Sequence, residues 1–111
     1  MQKTFTGFSR KKIRDIHALS LDFNEKKGKS HERVLLDLMR EHVLEIEQLY
    51  ALGDKHYLVE TGDLLILCLE LLAEAKTDPD LIMDRCYNRY NKKISGLIAK
   101  DKLADRKTKG R

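Results

Sequence analysis

Apolar residues recur at three- and four-residue spacing along most of the chain, strict alternation is absent, and the one proline stands between two periodic runs. This pattern predicts helices and no strands. Ser9 is placed to cap a first helix reaching about Asn24, with Ile13, Ile16, His17 and either Ser20 or Leu21 on one side. Residues 24–30, with Gly28 among lysines, read as a connector. Ser30 then caps a second helix that ends near Tyr50, before Gly53. Asp54 is the expected cap of a third helix ending at about Lys76. Thr77-Asp78-Pro79 stops that helix and starts a fourth, expected to end at Ile94 or Ala99. The expectation is an all-α, four-helix-bundle-like fold over residues 1–99, with residues 100–111 as a basic, frayed tail.

The second helix carries Leu35, Leu38, Met39, Ile46 and Leu49 on a face centred close to His42. Glu45 lies about 60° from that centre and Glu41 about 100°, at the edge, whereas Glu47 points to the far side and reads as solvated. The third helix is apolar almost all round, from Leu64 to Leu72, which marks it as central. Its polar residues His56, Glu60, Asp63, Glu70 and Glu74 fall within about 60° of Asp63. Such an anionic stripe is unfavourable unless water or a cation relieves it. It is therefore either a solvent face or, with the acids of the second helix turned to the same space, a cation site.

Charge sharpens this choice. Residues 1–30 hold eight Lys/Arg against three Asp/Glu, residues 31–84 four against thirteen, and residues 85–111 ten against two, within a net charge of +4. An acidic centre between basic ends suits a cation bound to an anion, such as magnesium triphosphate. It suits a nucleic-acid duplex poorly, since phosphate-tracking surfaces exclude acids. At 111 residues one small domain is expected, helped by a second copy. The most apolar stretch, Leu64 to Ala73, is interrupted by Glu70, so no membrane span and a soluble, cytoplasmic protein are expected. Cys68 and Cys86 sit in helical patterns without metal-site spacing and read as free thiols.

Carboxylate oxygens are what Mg²⁺ demands, and the waters it retains leave positions for phosphate oxygens. A glutamate not consumed as a ligand can take a proton from an attacking water.

Glu41-His42-Val43-Leu44-Glu45, then Glu60-Thr61-Gly62-Asp63 and the run Leu64-Leu65-Ile66-Leu67, resemble the MazG-like nucleotide pyrophosphohydrolases. That all-α superfamily also includes dimeric dUTPases and phosphoribosyl-ATP pyrophosphohydrolase, and its signature is Glu-Glu-x-x-Glu on one helix and Glu-x-x-Asp on the next. The similarity spans roughly Leu35 to Ile94. It implies a single MazG-like domain with Glu45, Glu60 and Asp63 as metal ligands, His42 as a further candidate beside them, and Glu41 and Glu45 as catalytic carboxylates. His42 departs from the pattern, standing where a metal-binding glutamate is usual; imidazole is a poorer ligand for Mg²⁺ but suits Mn²⁺ or Zn²⁺. The resemblance also implies phosphate contacts from a polar stretch of the last helix, here Asn88, Asn91 and Lys92.

The expected activity is Mg²⁺-dependent (or Mn²⁺-dependent) cleavage of nucleoside triphosphates to monophosphate and pyrophosphate, in housekeeping of the nucleotide pool. A homodimer or homotetramer is expected. The alternative, favoured by His42, is a degenerate relative that serves as a non-catalytic nucleotide-binding or interaction module.

Overall fold

The computed structural model describes residues 9–109. Four helices, α1 (Arg10–Lys26), α2 (His31–Ala51), α3 (Tyr57–Glu74) and α4 (Pro79–Lys109), account for the architecture, and no strand occurs among the described residues. The fold is all-α. None of the helices is long and apolar enough to cross a membrane.

The caps explain most of the boundaries. Ser9 Oγ accepts from the Lys12 N–H and Ser30 Oγ from the Arg33 N–H, each satisfying a donor that the first helical turn leaves over. Glu32 lies in the first turn of α2, where its own backbone N–H and then the Ser30 hydroxyl hold its carboxyl below the usual carboxylate range. At the other ends, α1, α2 and α3 close with the same pair of backbone bonds. Gly28 N–H reaches Glu25 O and Lys29 N–H reaches Asn24 O; Gly53 and Asp54 repeat this on Tyr50 and Leu49, and Lys76 and Thr77 on Ala73 and Leu72. This closure needs a left-handed residue, and Gly28 (φ 68°) and Gly53 (φ 71°) supply it without strain, whereas Lys76 (φ 55°) does so with a Cβ in the way.

Two boundaries differ from the sequence expectation. The Asp54 carboxylate accepts from the His56 N–H, closing a local turn, so α3 begins at Tyr57 with His56 as a cap that lends no side chain. Helix α4 continues to Lys109, past the expected end and through residues read as a frayed tail. The physical reason is that nothing after Gly96 breaks a helix until Gly110, and Ala, Lys, Leu and Arg are good helix formers.

Helices α1–α3 belong to one compact unit ending at Thr77, and α4 to a second beginning at Asp78. Within the first unit α3 is central, packing along α2 most extensively and also against α1, which touches both. Its core is small: Leu35, only 1% exposed, with Leu67 and Leu69. Burial also pushes the Cys68 thiol up from its ordinary value, and both cysteines are free. In the second unit, α4 exposes Met83, Tyr87, Tyr90, Ile94 and Leu97, which follow the four-three spacing of one helical stripe.

Candidate metal centre between two helices

His42 lies on the α3-facing side of α2. Its Nδ1 is 2.8 Å from the carbonyl oxygen of Leu38, and because a carbonyl only accepts, Nδ1 carries the hydrogen and donates it. That bond orients the ring and turns Nε2 toward α3, where it stands 3.3 Å from Glu60 Oε2 and 3.8 Å from Asp63 Oδ2. A neutral imidazole fixed in this way aims a lone pair at two carboxylates. The arrangement is repulsive unless a proton or a cation lies between them.

Glu60 is the hub. It is 14% exposed, and while one carboxylate oxygen faces His42 the other lies 3.4 Å from His56 Nε2, one turn earlier on α3. Asp63 is half-exposed at the mouth of an open hollow of about 190 Å³ that His42, Ile66 and Leu67 also line. One donor atom each from His42, Glu60 and Asp63 fall within 4.8 Å of one another. Octahedral ligands about 2.1 Å from an ion lie ~3.0 Å apart when adjacent, so modest side-chain rotation fits all three to one divalent cation. With one nitrogen and two oxygens the set accepts Mn²⁺ more readily than Mg²⁺.

Of the residues named from the sequence, His42, Glu60 and Asp63 are thus brought together. Glu41 and Glu45 are exposed on α2 and lie outside this cluster, their side chains making no hydrogen bond or ion pair among the described residues. Asn88, Asn91 and Lys92 are exposed on α4, at spacings that put them on one face of that helix. The third-helix stripe does not act as a unit. Its first half faces His42, but Glu70 and Glu74 turn to α1: Ser20 Oγ donates to Glu70, and His17 Nε2 is 2.7 Å from Glu74 Oε2. Glu70 is only 3% exposed, so this half is no solvent face. Sequence reasoning missed the tie from His56 to Glu60, although their i, i+4 spacing was its signal.

Compared with known proteins, the chain matches no family model, no curated protein and no solved structure.

Proposed function

We propose that the protein is a divalent-metal-dependent nucleoside triphosphate pyrophosphohydrolase acting on the nucleotide pool, with His42, Glu60 and Asp63 holding the metal. The observation that carries the reading is the convergence of these three donors, from two helices, beside an open hollow that His42 and Asp63 line. The residue pattern Glu41…Glu45 and Glu60…Asp63 supports it independently.

The metal would supply charge neutralisation along the triphosphate and a more acidic water. Water oxygen attacks the α-phosphorus, the α–β anhydride bond breaks, pyrophosphate leaves with the electron pair, and the water's proton goes to a base. Glu45 suits that role: it stands one turn from His42 on α2, is exposed, and is not consumed as a ligand. The hollow, about 190 Å³, is smaller than the roughly 300–1,000 Å³ typical of small-molecule sites. It therefore takes the metal and a phosphate, and the nucleoside needs further walls. A second copy is the natural source, given the apolar side chains that α2 and α3 leave exposed, Val43, Leu58, Val59 and Leu65 among them.

The test incubates the chain with a nucleotide panel plus Mg²⁺ or Mn²⁺ and measures pyrophosphate; release that Asp63→Ala abolishes supports the reading, and silence across the panel removes it. One observation favours a second reading. The 3.3 Å contact from His42 to Glu60 is also that of an ion pair, in which a protonated imidazole replaces the metal and the chain is a non-catalytic nucleotide-binding module. Nucleotide binding that persists in a chelator, without turnover, would identify that case.

A further inference from the structure

We propose a second metal site, independent of the first, in which His17, His31 and Glu74 bind a transition metal of the Zn²⁺ type and clasp α1, α2 and α3 together. It lies at the other end of the packed helices: His31 precedes His42 by eleven residues on α2, and Glu74 follows Asp63 by eleven on α3. At 1.5 Å per residue that is about 16 Å along each helix.

The donors converge. His17 Nε2 is 2.7 Å and His31 Nε2 3.8 Å from Glu74 Oε2, and one atom from each residue lies within 4.8 Å of the others. In tetrahedral zinc sites, with metal–ligand lengths near 2.1 Å, the ligand atoms are ~3.4 Å apart. The two measured spacings bracket that value, so one opens by about 0.7 Å and the other closes by about 0.4 Å. Two imidazoles and one carboxylate form a donor set that selects Zn²⁺ over Mg²⁺.

The observation that asks for a ligand is His31. It is 4% exposed, and its Nε2 is buried without a hydrogen-bond partner while aimed at Glu74. Leaving such an atom unpaired is costly, because it loses its bond to water and gains none in exchange. Asn24, also buried, holds the other ring nitrogen, its side-chain amide lying 2.9 Å from His31 Nδ1. If the amide NH₂ donates, Nε2 bears a buried hydrogen that no acceptor takes. If the amide is turned through 180°, Oδ1 accepts from Nδ1–H and Nε2 becomes a bare lone pair. A cation satisfies the second arrangement, and Asn24 is then the positioning residue that fixes the tautomer. Charge argues the same way, because Glu70 and Glu74 set two carboxylates one turn apart on α3 beside neutral-capable histidines. A divalent ion offsets both.

The consequence is structural. Three leucines are the only buried apolar side chains among the described residues, and small domains with thin cores are often secured by a bound metal. Each of the three helices contributes one ligand to this clasp, so binding stabilises their packing.

The test uses the full chain carrying His42→Ala, which removes the imidazole of the first site, stripped of metal with a chelator and titrated with Co²⁺ and then Zn²⁺. The expected result is one equivalent of Co²⁺ giving visible d–d absorption that one equivalent of Zn²⁺ displaces, with a rise in melting temperature. Adding His17→Ala lowers Zn²⁺ affinity by more than about 100-fold, and Asn24→Ala by about 10- to 100-fold. His17 is not among the leucines of the core and is less buried than His31, so His17→Ala decides the matter even where a His31 variant fails to fold. A folded His17→Ala chain that binds Zn²⁺ as tightly as its parent, or a parent that takes up no transition metal, overturns the proposal. Both outcomes leave the hydrolase reading to its own pyrophosphate assay.

Discussion

Glu60→Gln is the sharpest perturbation of the first site, because it preserves shape and removes charge. The carboxylate stands between His42 Nε2 at 3.3 Å and His56 Nε2 at 3.4 Å and is the more buried of the two acidic donors. Opposite unit charges ~4 Å apart are worth about 1 kcal/mol in water and about 4 kcal/mol at an effective dielectric of ~20, and a divalent ion doubles both figures. Glu60 is mostly buried but the hollow beside it is open, which places the loss between those limits, at about 3–4 kcal/mol. That converts to a weakening of Mn²⁺ binding by about 100- to 1,000-fold. The assay follows free Mn²⁺ by electron paramagnetic resonance during a titration, with pyrophosphate release measured in parallel. Glu47→Gln, at an exposed position on α2, is the control and leaves both unchanged. A Glu60→Gln chain that binds Mn²⁺ within about threefold of the parent shows that this carboxylate is no ligand and refutes the reasoning.

Three further outcomes test the fold that carries the site. Leu35→Ala, at the most buried side chain, lowers unfolding free energy by about 2–5 kcal/mol in urea melts, while Leu52→Ala, at an exposed one, stays within about 0.5 kcal/mol. Lys76→Gly relieves a left-handed residue at the end of α3 and raises stability by about 0.5–1 kcal/mol, net of the extra freedom glycine gives the unfolded chain. Burial raises the Cys68 thiol, so as pH climbs past the ordinary thiol value the unfolded chain loses that proton first and stability falls; Cys68→Ala removes this part of the alkaline loss, read as the difference between melts at pH 7 and pH 10.

What the sequence made legible was whatever depends on neighbours along the chain. Ser9, Ser30 and Pro79 announced three helix starts because capping is settled within four residues, and the all-round apolar character of α3 announced a helix that packs on two others. The turn at Asp54 was misjudged because one carboxylate could serve either the helix or its own loop, and the loop took it. His42, Glu60 and Asp63 could be put on facing stripes, since the apolar seams of α2 and α3 fix how those helices turn toward each other.

The division of the α3 stripe was not legible, and the reason is physical. A helical wheel gives the direction of Glu70 and Glu74 but not which helix meets them at their height along α3. The contact from His17 to Glu74 joins residues fifty-seven apart, and Ser20 to Glu70 fifty apart, so each depends on how α1 is laid across the bundle. Nor does any local rule mark His31, which follows a cap and would read as a solvated first-turn residue; only the docking of α1 buries it beneath Asn24 and leaves Nε2 facing Glu74. One continuous line of acids therefore serves two different neighbours. Because the two groups share a helix but no ligand, loss of Glu74 should leave Mn²⁺ affinity at Glu60 intact, as independent sites more than about 10 Å apart require.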